Sequence, residues 1–461
     1  MLASLVAASL FTQASVTAFV EVDVIPMDRE RVLRRQTVLV RDGLIAEIGD
    51  SGKVKVPADA QKIDGKGKFL IPGLSDMHVH LYSDEEMPDS MAGDEFMVMV
   101  ANGVTSVRMM CGTPELLDHR AKIDKGDMIG PKLFVASPQL VGRNRPNGFH
   151  TTNAEQARAA VQKSKLAGYD FIKLTDFITP EVYDATIDEA RKQGIRVIGH
   201  VDVSVGAEKA LAAGQHVEHL DAYLESVLKD GAPMKRSISG GGIFRPENWE
   251  SIDYIDDAKI RKLAETTAKS GTYSTPTLNF WKVTFGVGAS DEEIKAYPDF
   301  PFVPEYMRKP WFSAGKRIWA SPPSEVRRKR FIQARNLMVK EIHRAGGKIM
   351  AGSDSPDWFM VYGFSLHREL RCLVEAGLTP FQALEAATRV PAEFLGGPFG
   401  TIKKGNRADL VLLDANPLDK IGNTEHRSGV MLRGNWFSEA TLKKSLEEAA
   451  TRFAKVTPGS L

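Results

Sequence analysis

Residues 71–81 read IPGLSDMHVHL, an apolar run that ends with two histidines one residue apart. In an extended strand, residues i and i+2 point to the same face, so His78 and His80 project together from one strand end. Two imidazoles on one face suit a metal ion. The chain has ten histidines in 461 residues, so this pairing is the feature from which to read outward.

The opening β-rich run covers 68–80, and seven more follow at 104–110, 132–136, 170–175, 196–201, 216–220, 272–278 and 348–354. Helical stretches separate most of them. NAEQARAAVQKSKLA (153–167) and PEVYDATIDEARKQ (180–193) repeat apolar residues at helical spacing. Eight strands alternating with helices predict an α/β fold, a (β/α)8 barrel of TIM type, with active-site residues at the C-terminal strand ends. The segment 280–327, rich in Pro and aromatics, is too long for an ordinary connection and reads as a lid.

Both flanks of this region read differently. Residues 16–50 hold short β-branched runs broken by turns such as Arg41-Asp42-Gly43, and 400–418 and 428–437 share that character. Paired, they predict a small composite β-sandwich of residues 19–70 and 400–440 around a barrel at 71–399, with a C-terminal helix and tail at 441–461. The first 18 residues carry an apolar block at 2–11 and small residues at Ala14 and Ala18, like a secretory signal, although the first basic residue is Arg29. Export to the periplasm or beyond is the expectation from this segment, and a cytoplasmic protein with an opening strand is the alternative.

Composition narrows the classes. Sixty Lys and Arg against 59 Asp and Glu give a formal charge of +1, with no footprint for nucleic acid or an anionic membrane surface. No later run approaches a membrane span, so the expected partner is a small molecule; self-association into a homo-oligomer stays open. Cys111 and Cys372 match no disulfide or CxxC pattern and read as buried thiols. SGGGIF (239–244) lacks the GxGxxG and GK[ST] patterns, and no GxSxG elbow occurs.

The predicted strand ends carry further metal-binding groups. Lys173 lies inside an apolar strand, where an unpaired ammonium is costly. His200 ends the fifth strand, His219 the sixth and Asp354 the eighth, while His216 is out of phase. An HxH alone is a weak signal. Six polar groups at the ends of five strands, converging on one mouth, are a strong one.

With these residues in view, the sequence resembles the amidohydrolase superfamily over nearly its whole length. KFLIPGLSDMHVHL looks like that family's first barrel strand. GYDFIKL, GHV, VEHL and AGSDSP look like its lysine, its third and fourth histidines and its catalytic aspartate, and 375–418 is similar to its closing helices and return to the sandwich. Among its branches, the imidazolonepropionase-like and prolidase-like peptidases resemble it most. The resemblance implies two divalent metal ions, zinc being the first expectation, bridged by a carbamylated Lys173 (N6-carboxylysine). His78, His80 and Asp354 would hold one ion, and His200 and His219 the other. A metal-activated hydroxide would then attack an amide-type C–N bond in a dipeptide, N-acyl amino acid or related amide, with Asp354 moving the proton. The alternative is a mononuclear cyclic-amide hydrolase or deaminase with an unmodified lysine.

Substrate contacts are read more broadly. His150, past the third strand, is a candidate oxyanion stabiliser. Tyr223, Trp281 and His367 are candidates for the cavity wall.

Overall fold

A computed structural model describes residues 16–82, 91–145, 147–235, 242–285, 290–318 and 322–456. The apolar block at 2–11, half of the glycine-rich loop and the last five residues of the tail lie outside the described residues. Ala18, taken above as the end of a leading segment, sits inside the first strand, Val16–Val24.

The stretch quoted first divides between two sheets. Phe69–Pro72 belongs to one and Leu74–Val79 to the other. Gly73 makes the change: a Cβ there would come within 2.1 Å of Thr105 Oγ1, so the approach needs a residue without a side chain.

The first sheet draws its eight strands from both ends of the chain. Asn435–Ser438, Arg427–Leu432 and Leu410–Leu413 lie beside Phe69–Pro72, followed by Val16–Val24, Leu33–Arg41 and Leu44–Asp50; Gln61–Asp64 also pairs with Val16–Val24. Leu410–Leu413 runs antiparallel to Phe69–Pro72, joining the two ends. Its side chains alternate: Leu410 and Leu412 enter a core with Phe19, Val38 and Leu70, while Val411 and Leu413 enter the core of the larger region. Burial on both faces explains why this strand is an unbroken apolar run.

The larger region has two sets of parallel strands. Leu74–Val79, Val104–Met109 and Lys132–Val135 form one. The other runs Gly148–His150, Gln139–Val141, Phe171–Leu174, Arg196–Gly199, His216–Glu218, Tyr273–Thr275 and Lys348–Ile349. The sets meet at two seams. Ala136 bridges to Phe171, and Val79 to Ser355; His80 N also donates to Ser355 O at 2.7 Å and Asp354 N to His78 O at 2.8 Å. Asp76 ties the second seam further, accepting from His78 N and Ser353 N. This α/β architecture is consistent with a TIM barrel carrying a β-sandwich domain.

Local chemistry sets the helices. Asn153 caps Ala154–Ala167, and Thr179 caps Pro180–Gln193 with proline at its first position; both helices end on a left-handed glycine, Gly168 and Gly194. Two strand ends need correction. The seventh strand stops at Thr275, because helix Leu278–Thr284 takes over its predicted end, and the eighth covers Lys348–Ile349 rather than 348–354. Among its described residues, the segment read as a lid carries helices Asp291–Lys295 and Glu305–Ile318 and the start of Glu325–Arg344. Cys111 and Cys372 are buried, and neither forms a disulfide among the described residues. Among the described residues, no helix is long and apolar enough to cross a membrane.

Candidate metal centre

One cavity of about 370 Å³ opens where the parallel strands end, and His78, His80, Lys173, His200, His219 and Asp354 all line it. Residues far apart in sequence arrive there because the four histidines and Lys173 lie at or just past the C-terminal ends of their strands, and Asp354 on the segment that leaves Lys348–Ile349. The rings of His80, His78, His219 and His200 follow one another, with centroids 5.4, 4.6 and 4.8 Å apart.

Asp354 faces three of them. Its Oδ1 lies 3.2 Å from His78 Nε2 and 3.6 Å from His80 Nε2, and its Oδ2 lies 3.8 Å from His219 Nδ1. Among the described residues, His78, His219 and Asp354 offer ligand atoms all within 4.8 Å of one another. Burial by itself would raise the Asp354 pKa, but His219, His80 and Lys173 outweigh it and hold the carboxyl well below the usual range. Burial lowers His78 well below its ordinary value and brings His219 down to about 3. An ionised carboxylate and neutral imidazoles are the forms that give lone pairs to a cation.

Hydrogen bonds fix which nitrogen is offered. His78 Nδ1 lies 2.8 Å from Glu218 Oε2, so the proton sits on Nδ1 and the Nε2 lone pair faces Asp354. Glu218 is held in turn by Arg108, whose Nη2 donates to Oε1 at 2.6 Å and whose Nε donates to Met77 O at 2.7 Å. Arg108 and Glu218 are both fully buried. His219 Nδ1 is 2.7 Å from Thr277 Oγ1. His200 Nδ1 is 2.9 Å from Asp221 Oδ2 and 3.8 Å from Asp176 Oδ1. Burial and Lys173 oppose protonation of His200, but the two aspartates win and raise it.

Lys173 is the outlier. It is fully buried, and its Nζ has no hydrogen-bond partner among the described residues. Burial lowers its pKa, against the pull of Glu218 and Asp354. An orphaned amine at this depth is costly unless something else engages it. The lining also holds four carboxylates, Asp176, Asp221, Asp354 and Asp357, against two basic side chains, Lys173 and Arg145. That imbalance, with the converging imidazoles, fits a divalent cation.

Not every candidate comes here. Trp281 lines the cavity beside Phe244 and Phe280. His150 is exposed at the end of a short strand and is not among the lining residues. Tyr223 is buried outside the cavity, its hydroxyl accepting from Thr267 at 3.2 Å. His367 is buried elsewhere, between Thr424 Oγ1 at 2.9 Å and Asn102 O at 3.0 Å. These three belong to surface or packing rather than to the cavity.

Conversely, Asp221, Glu218 and Arg108 escaped the sequence reading. Arg108, a charge inside the buried strand Val104–Met109, carried the signal that marked Lys173, whereas Glu218 ends the three-residue strand His216–Glu218. Asp221 follows His219 by two residues, but the chain leaves the strand there, so pleat spacing gives no hint.

A model of the amidohydrolase family matches residues 69–437. The chain is 32% identical over 397 residues to a dihydroorotase from Anaeromyxobacter dehalogenans, covering 82% of this chain and 84% of that one.

The chain belongs to the amidohydrolase family.

It is also 29% identical to an enamidase from Eubacterium barkeri over 171 residues, 37% of this chain and 38% of the enamidase's length. A solved bottromycin amidohydrolase shares the fold, with a TM-score of 0.76 at 21% identity over 98% of this chain and 93% of that one. Membership agrees with the His/His/Asp cluster, since family members are generally metal-dependent.

Proposed function

We propose that this amidohydrolase is a metal-dependent enzyme that hydrolyses an amide-type C–N bond in a small molecule. The observation that carries the reading is the meeting of four imidazoles, Asp354 and an orphaned buried lysine in one cavity. The two seams between the strand sets support a closed (β/α)8 barrel over 71–399, with 19–70 and 400–440 as the sandwich and 441–461 as a helix and tail. The leading segment would direct export, on the strength of its apolar block.

His78, His80 and Asp354 would hold one divalent ion, His200 and His219 a second, with Lys173 between them. Zinc suits the nitrogen and carboxylate donors. The neutral Lys173 amine would take up carbon dioxide, forming an N–C bond and releasing one proton; the resulting carbamate gives the buried nitrogen an anionic, two-oxygen end. When bound, the ions supply Lewis acidity toward the scissile carbonyl and lower the pKa of water.

The chain's own residues do the rest. Asp354, ionised, takes a proton from the attacking water and passes it to the departing nitrogen, while the C–O bond forms and the C–N bond breaks. Glu218 and Asp221 keep the ring protons of His78 and His200 on the nitrogens that face away from the cations. Phe244, Phe280 and Trp281 wall off an apolar group of the substrate, and Gln139 and Arg145 bring hydrogen-bond donors to the same space.

A second reading, hydrolysis of a cyclic amide, is favoured by the dihydroorotase relative that spans 82% of the chain. One screen separates the two. Zinc-loaded protein is offered dipeptides, N-acyl amino acids and cyclic amides, with Asp354→Asn as the blank. Turnover of the open-chain amides supports the first reading, turnover confined to cyclic amides supports the second, and no difference from the blank with any substrate contradicts both.

A further inference from the structure

The chain leaves the sixth strand in a costly conformation. His219, Leu220 and Ala222 have φ of 57°, 52° and 62°, a left-handed region that crowds the Cβ of any non-glycine residue. Such conformations persist where the surroundings over-determine them. Two of the bonds that hold this turn are local to the strand ends: His219 N donates to Thr275 O at 2.7 Å, and Asp221 N to Glu218 O at 3.1 Å. Another comes from more than a hundred residues away, where Arg335 Nη2 donates to the His219 carbonyl.

Arg335 lies on helix Glu325–Arg344 and is 3% exposed. Its guanidinium sits 4.2 Å from the Trp281 ring centroid and 5.3 Å from that of Phe331. Trp281 also walls the metal cavity, so one side chain touches both the main chain of His219 and the wall beside it. Burial brings the Arg335 pKa down to about 9, against Asp221, Glu225 and Glu369, which leaves it charged at neutral pH. A methionine would fill this position without desolvating a charge. A planar fork that reaches a carbonyl while lying on an indole is particular to arginine.

We propose that Arg335 is a positioning residue for the metal centre: by holding the His219 carbonyl and the Trp281 ring together, it fixes the direction in which His219 offers its imidazole. The proposal rests on the reading of His219 as a metal ligand. Arg335 does not line the metal cavity, and its effect passes through the His219 main chain and the Trp281 ring.

The test measures zinc affinity by chelator competition, and thermal melting, for wild type, Arg335→Lys, Arg335→Met and Arg427→Met. Arg427 is a control for loss of a buried arginine, bonded to Ala101 O and Asn102 Oδ1 away from the cavity. Arg335→Met is expected to weaken zinc binding by about 10–100-fold, and Arg335→Lys to restore part of it. Arg427→Met is expected to melt earlier with unchanged zinc affinity. Wild-type affinity in Arg335→Met, or an equal loss in Arg427→Met, overturns the proposal. If Arg335→Met does not fold, Arg335→Lys decides: reduced affinity supports the proposal and wild-type affinity overturns it. Wild-type protein that binds no zinc defeats the metal reading itself, a failure distinct from these.

Discussion

Two buried regions use histidine in opposite ways. Around His367, the protein answers each ring nitrogen: Thr424 meets Nδ1, the Asn102 carbonyl meets Nε2, and Arg427 packs alongside. At the mouth of the parallel strands, His78 spends Nδ1 on Glu218 and turns Nε2 toward Asp354, while Lys173 Nζ has no hydrogen-bond partner among the described residues. Both regions are buried and polar. A satisfied network specifies packing, whereas a network with lone pairs and a charge left over is built for something that joins it.

That contrast can be broken by substitution. The largest effect belongs to Asp354→Asn, expected to lower kcat by about 10²–10⁴-fold in a protein that still folds; steady-state kinetics beside a melt checks both. Glu218→Gln comes next. It leaves Arg108 buried beside a neutral partner, and should destabilise by up to about 3–5 kcal/mol and weaken metal binding, read by denaturant unfolding and chelator competition.

Lys173→Met sharpens the comparison because its two effects have opposite signs. Removing an orphaned amine should stabilise the metal-free protein by about 1–3 kcal/mol while reducing metal uptake; unfolding of chelator-treated protein measures the first. At His367 the signs differ again. His367→Gln should cost about 1–3 kcal/mol with kcat/KM unchanged, and a large kinetic loss would erase the distinction between the regions. His150→Ala, at an exposed position, should leave stability within about 0.5 kcal/mol and activity as in wild type.

The parts of this site that could be read from sequence were those expressed by local spacing. His78 and His80 share a strand face, and Lys173 is a charge inside FIKL, so each announces itself within a few residues. The fold class followed from strands alternating with helices, and the shared sheet from similar β-rich runs at 16–50 and 400–437. Arg108 was a charge inside its buried strand as well, but its partner Glu218, 110 residues away, is visible only once the strands are placed. His150, Tyr223 and His367, read as candidates from their place in the chain, lie outside the cavity lining, and for His367 the reason is again long range. The groups that satisfy His367, Asn102 and Thr424, are 265 and 57 residues away, and nothing in GFSLHREL reveals them. The division of the opening stretch at Gly73 depends on Thr105 across the neighbouring strand.

The account turns on whether these residues together clasp two cations. Its most direct test is the zinc content per chain by elemental analysis, for wild type and Lys173→Ala, each prepared with zinc and bicarbonate. Two zinc ions in wild type and one or none in the variant are the predicted result. Fewer than two in wild type, or two in both proteins, would contradict it.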